Sequence, residues 1–178
     1  MRRIVGPALP ITVEQAKQNG RIDHDAEDAL VEDCIRAALA YAEKWAGVAF
    51  QAQTWEMTLD AFPAHEIEIP FAPVTSVTSV GFTDPAGAPQ ATTDYEVDLD
   101  QYGRAWIIPT GAWPATMTTV NAVRIQFVAG DTPPDDVRRA ILLLTQHYYG
   151  NRSATGEDMK PVPLGVFDLL NLHRRMFV

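Results

Sequence analysis

Residues 12–46 place apolar side chains every three or four positions. Thr12 followed by Gln15 has capping-box spacing, in which the two side chains each bond the other's backbone N–H. A short helix is predicted from there to about Asn19-Gly20. A longer helix is predicted over about 25–46. Asp25 opens it and Asp28 sits in its first turn, where negative charge suits the helix dipole. Leu30, Val31, Cys34, Ile35, Ala38, Tyr41, Ala42 and Trp45 form one stripe, and Gly47 stands where a C′ glycine ends a helix.

From about 52 to 129 the period drops to two. Gln53, Trp55, Met57 and Leu59 share one strand face; Thr54, Glu56, Thr58 and Asp60 share the other. Ile67 and Ile69 follow, then Val80 and Phe82 after the break at Pro73. Next come Tyr95, Val97 and Leu99, then Arg104–Ile108, and last Val123, Ile125 and Phe127. Turn chemistry at Asp84–Gly87, Gln101–Gly103 and Gly111–Pro114 separates the runs. An antiparallel sheet of five to seven strands is predicted.

The helical period returns after Thr132-Pro133-Pro134-Asp135, which reads as an N-cap threonine, an N1 proline and an N3 acid. Val137, Ala140, Ile141, Leu144, His147 and Tyr148 share a face up to Gly150. A polar loop is expected at about 151–160, and Pro163 opens a short helix with Val166, Phe167, Leu169 and Leu170. Neither helical part has enough apolar face to close a core alone, so 25–46 is expected to pack on 134–149. The expected fold is α+β: a helical core with an inserted antiparallel sheet. Its segments are 1–50 (N-terminal helices), 51–130 (inserted β domain) and 131–178 (C-terminal helices and tail).

Composition narrows the function. The chain has 178 residues, enough for a core that needs no disulfide or structural metal, and its single cysteine, Cys34, excludes a disulfide framework. With 14 Lys and Arg against 23 Asp and Glu the net charge is −9. Tight DNA binding draws on Lys and Arg displacing phosphate counterions, so specific nucleic-acid binding is not expected. No apolar run is long enough to span a bilayer and MRRIVGPALP has no signal-peptide core, so no membrane association is expected.

The residues suggest little catalysis. His24, His65, His147 and His173 have no ligand spacing, so no metal is expected. The Gly150–Gly156 stretch is followed by Glu157-Asp158 where a phosphate loop needs Lys and Ser or Thr, so no nucleotide site or other cofactor is expected. Cys34 reads as a small buried hydrophobe. Glu66 with Glu68, and Glu96 with Asp98, sit at even steps and offer paired acids for a hydrolase, against the plainer reading of a solvated sheet face. The chain reads as an interaction protein rather than an enzyme. Two segments suit assembly: the acids Asp23, Asp25, Glu27, Asp28, Glu32 and Asp33, and the tail Arg174-Arg175-Met176-Phe177-Val178, whose residue types favour interfaces.

Ile11–Lys17, Arg21-Ile22-Asp23, Asp28-Ala29-Leu30 and Ala37–Val48, in that order, resemble the opening of tailed-phage head–tail connector proteins. These are adaptor, or head-completion, proteins. The resemblance continues through Gln53-Thr54-Trp55, Pro73–Val77, Phe127–Gly130, Pro134–Val137, Ala140–Leu144, His147–Arg152 and Pro163–Val166 with Leu169, Leu170 and Arg174. It implies a homo-oligomeric, dodecameric ring beneath the portal protein of a phage, prophage or gene transfer agent particle. Such a ring extends the DNA channel and carries a tail-side neck or stopper protein. Assembly in the bacterial cytoplasm and residence in the particle neck follow.

Within that implied setting, the acids Asp23–Asp33 become candidates for the channel wall, where like charge keeps passing DNA from adhering. The tail Arg174–Val178 becomes the candidate portal contact, and Trp106, Trp113 and Phe82 become candidate ring contacts. Removing 171–178 is expected to leave the chain folded and to abolish portal joining. The alternatives are a tail-completion or stopper protein of the neck and a particle-borne carboxylate-dependent cell-wall hydrolase.

Overall fold

The computed structural model describes residues 1–151 and 162–175. Its elements are β1 (Arg2–Val5), α1 (Val13–Gly20), α2 (Asp28–Ala46), β2 (Gln53–Leu59), β3 (Ile67–Ile69), β4 (Val74–Thr83), β5 (Pro89–Thr92), β6 (Tyr95–Leu99), β7 (Ala105–Pro109), β8 (Val123–Ala129), α3 (Asp135–Gly150) and α4 (Leu164–Asn171). The chain divides into two compact units. One comprises Met1–Ala8 and Gln51–Asp131, the other Leu9–Phe50 and Thr132–Val178.

The helical unit begins with the expected capping box. The Thr12 hydroxyl accepts from Gln15 N at 3.1 Å, and Gln15 Oε1 accepts from Thr12 N at 3.0 Å. α2 starts at Asp28, three residues after the expected Asp25; Asp25 instead heads a turn, its carbonyl accepting from Asp28 N at 3.3 Å, and its side chain pairs with Lys17. Gly47 closes α2 in the left-handed conformation, its N–H on Glu43 O. α3 starts at Asp135, and Thr132 makes no cap. A residue before proline is pushed out of the helical region, so Pro133 cannot begin a helix ahead of Pro134. Ile35, Ala38 and Ala42 of α2 pack with Ala140, Ile141 and Leu144 of α3 and with Val166 and Leu170 of α4. The buried alanines let the helices approach closely, as ridge-into-groove packing requires. Cys34 is buried, as a small hydrophobe would be. The expected loop at 151–160 falls, beyond Asn151, outside the described residues.

The sheet unit holds two antiparallel sheets, ordered β1-β2-β8-β4-β5 and β3-β7-β6. Gln53 at the start of β2 pairs with Ala129 at the end of β8, so the insert enters and leaves on neighbouring strands. The first sheet buries Met57, Val80, Val123, Ile125 and Phe127; the second buries Ile67, Ile69, Ala105 and Ile107. Gly103 has φ +72°, and a Cβ there would fall 2.5 Å from Pro73 Cβ. Its carbonyl accepts from Val74 N at 2.8 Å, so this turn joins two strand ends.

β1 departs from the expected 1–50 helical segment. Met1–Ala8 belong to the sheet unit, with Arg2 opposite Glu56 and Arg3 opposite Trp55. Four residues before Gly6-Pro7 are too few to show a period, and their partner strand lies more than fifty positions away. The same pairing explains Glu56, expected on a polar face but buried: Arg2 Nη2 donates to its Oε1 at 2.9 Å.

Candidate functional site

The six acids of 23–33 do not form a uniform charged wall. The turn after α1 and the first turn of α2 are clamped by Lys17, whose ammonium pairs with Asp25 and, at 2.7 Å, with Asp28. Its side chain is only 12% exposed. The hydrogen bond from Lys17 holds the Asp25 carboxyl below its ordinary value, and the two acids raise the Lys17 pKa. Glu27 accepts from the Tyr149 hydroxyl of α3, and Glu32 pairs with Arg36 one turn on at 2.5 Å. Asp23 and Asp33 are exposed, and they present the cluster's charge to solvent most directly. The sequence shows the cluster; the lysine eight and eleven positions away that staples it shows only in the fold.

The C-terminal segment is tied into its own helical unit. Trp45 Nε1 donates to Asn171 Oδ1 at 3.1 Å, and the Arg174 guanidinium lies 5.6 Å from the Trp45 ring centroid. His173 Nε2 meets Asp136 Oδ2 at 2.7 Å, and this bond holds the Asp136 carboxyl below its ordinary value. His173 also sets its ring edge-on to Phe50 at 5.9 Å, and Arg175 N donates to Ala46 O at 2.8 Å. These contacts bear on the expectation that 171–178 can be removed with the fold intact: Asn171, His173 and Arg175 join the ends of α2 and α4 and the start of α3. Met176, Phe177 and Val178 lie outside the described residues.

The paired acids stand on an open sheet. Glu68 and Asp98 come from the two different sequence pairs and lie directly opposite Trp106 on its two sides, while Glu96 lies opposite Ile108. All four expected acids, Glu66 included, are exposed. An open face does not exclude water, whereas glycoside hydrolysis works on a bond held between two carboxyls. The structure instead shows an acidic rim around a half-buried tryptophan, with the Arg104 guanidinium 5.4 Å from the Trp106 ring centroid. The other two aromatic candidates support the sheet unit itself. Trp113 stacks on Phe62 at 4.5 Å and donates from Nε1 to His65 O at 3.3 Å, and Phe82 meets Phe62 edge-on at 5.8 Å.

A cleft of about 290 Å³ in the helical unit is lined by Asn19, Arg21, Ile22, Thr145, Gln146 and Tyr149, among others. It carries two buried amide nitrogens, Asn19 Nδ2 and Gln146 Nε2, with no partner among the described residues. Its lining offers donors but no carboxylate, thiol or imidazole for proton transfer. Among the described residues, no group of three or more His, Cys, Asp or Glu is placed to hold a metal ion, and no helix is long and apolar enough to cross a membrane.

The residues quoted for the connector resemblance are spread over both units, and so is the similarity to known proteins. The family described as head completion protein matches residues 10–176. The chain belongs to that family. Solved relatives share the whole architecture. A chain in the virion of a native gene transfer agent particle is similar at 27% identity and a TM-score of 0.79, covering 100% of this chain and 97% of that one. A chain in the neck of an empty gene transfer agent particle, computed with C6 symmetry, is similar at 26% identity and a TM-score of 0.76, with the same coverage. One in the neck of the native particle, computed with C12 symmetry, is 26% identical with a TM-score of 0.72. Among curated proteins none matches the chain.

Proposed function

We propose that this member of the head completion family is a non-enzymatic structural connector of the head–tail neck. Copies form a ring beneath the portal of a phage or phage-like particle, extend the DNA channel and carry a tail-side neck protein. The observation that carries this is the end-to-end similarity, in both units, to a chain of a gene transfer agent virion. Twelve copies are the favoured number, supported by the C12 symmetry of the similar neck.

A head-to-tail ring is a heterologous interface, so each copy presents two different faces. Asp23 and Asp33 suit a channel wall that DNA passes without adhering. Arg174, Arg175 and the three residues after them are the proposed portal contact. Arginine pairs bidentately with carboxylates, and the Arg174 guanidinium lies over the Trp45 ring, 5.6 Å from its centroid.

The test is a pull-down of the tagged chain from cells making the particle, with bound proteins counted by mass spectrometry. Portal and tail-neck proteins at near-equal copy number are expected. Cell-wall material or a tail-fibre complex in their place overturns the connector. Deletion of 176–178 alone, which spares the anchors at Asn171, His173 and Arg175, is expected to leave the fold intact and reduce portal recovery.

A further inference from the structure

Each sheet of the sheet unit ends in two edge strands: β1 and β5 in one, β3 and β6 in the other. An open edge offers unpaired backbone N–H and C=O groups to another strand, and proteins usually blunt such edges. Two of the four edges have that protection. β3 has three residues, two of them buried, and β5 opens with Pro89, which has no N–H to give. β1, by contrast, is exposed along its whole length, and β6 at every residue but Tyr95. Both carry bare apolar side chains: Ile4 is 43% and Val5 56% exposed, Val97 36% and Leu99 44%.

Their charges are opposite. β1 carries Arg2 and Arg3, half of the basic residues of a unit that has four, with Arg104 and Arg124, against ten acids. β6 carries Glu96 and Asp98. A β1–β1 pairing sets arginines against arginines, and β6–β6 sets acids against acids; like charges across a strand pair are destabilising. The combination that satisfies both apolar content and charge is β1 of one copy on β6 of another.

We infer that β1 of each copy adds to the β6 edge of the next copy, continuing the three-stranded sheet across the subunit boundary. The occupant of each edge is a second copy of this chain, and because the two edges differ the contact is head-to-tail and propagates. This rests on the ring proposed above and names its contact. β1 precedes the residues matched by the family.

The test uses the full chain in assembled particles, with Cys34→Ala to remove the native thiol. Ile4→Cys is combined in turn with Glu96→Cys, Val97→Cys and Asp98→Cys, since paired strands bring Cα atoms within disulfide reach. Oxidation is expected to give a ladder extending past the dimer for at least one combination, and no cross-link for any single cysteine. A dimer from Ile4→Cys alone overturns the pairing in favour of β1–β1. Necks that show rings by electron microscopy but no ladder overturn the β1–β6 contact and leave the ring standing; necks without rings overturn both. Glu96→Lys with Asp98→Lys, both on exposed positions, is expected to abolish ring closure while the monomer's melting temperature is unchanged. Normal rings from that variant also overturn the inference.

Discussion

The two units are held by different means. In the helical unit, long-range polar contacts tie the ends of elements together: Lys17 to the start of α2, Tyr149 to Glu27, His173 to Asp136, Arg175 to Ala46. In the sheet unit, backbone ladders do that work, and two whole strands are left with one side open. A helix satisfies its own backbone and needs partners only at its ends. A strand satisfies half of its backbone with each neighbour, so a sheet always has edges to manage. The helical unit therefore satisfies its element ends from within, and the sheet unit leaves strand edges open.

The sharpest way to test that contrast is to hollow each core. Phe127→Ala, fully buried between β2 and β4, is expected to cost about 3–5 kcal/mol, and Leu144→Ala in α3 about 2–5 kcal/mol, read by urea denaturation. A loss below about 1 kcal/mol in either variant would mean that the core it probes is not packed as described. The turn glycines give the next effect. Gly103→Ala is expected to cost more than roughly 1–3 kcal/mol, because the left-handed backbone strain is joined by collision with Pro73. Gly87→Ala, at φ +85° with open space around it, carries the strain alone. If the two variants melt alike, the Gly103–Pro73 approach is not as close as it stands here.

Smaller effects belong to the element ends of the helical unit. Thr12→Ala removes half of the capping box and is expected to cost about 1 kcal/mol by the same denaturation. The smallest effect is one of pH. The Asp136 carboxyl is lowered below its ordinary value of 3.8, first by the bond from His173, so the native state binds its proton less readily than the unfolded chain. Its contribution is then complete above 3.8 and lost as pH falls through the lower folded value. Melting curves of the wild type and Asp136→Asn are expected to differ near pH 5 and to converge in stronger acid. A difference that persists unchanged at pH 2 would assign the effect to something other than ionisation.

The legibility of the sequence follows the same division. The capping box at Thr12, the stripe Val31–Ala42, the C′ glycine Gly47 and the alternation Val123–Phe127 are local patterns, and the structure has each of them. Errors came where one residue's local signal met a stronger neighbour. The second proline displaced the cap from Thr132, and a turn from Asp25 to Asp28 precedes the helix that Asp25 was expected to open. β1 was missed because four residues carry no period of their own.

The candidate surfaces divide likewise. The acids of 23–33 and the basic tail are visible as composition, but their pairings are not. Which acids stay open to solvent, and which tail residues are already engaged, depends on distant partners, as with Trp45 and Asn171, 126 positions apart. Periodicity and capping act through hydrogen bonds and side chains within one or two turns, so they determined the α+β class and the helix–sheet–helix order, and the order of the quoted motifs determined the family. Only the tertiary structure decided that the first eight residues leave the helices for the sheet, that Lys17 closes the acidic cluster, that Asn171–Arg175 are anchors, and that a basic edge and an acidic edge stand open. Those depend on which distant groups meet, and burial and strand pairing settle that only when the whole chain has folded.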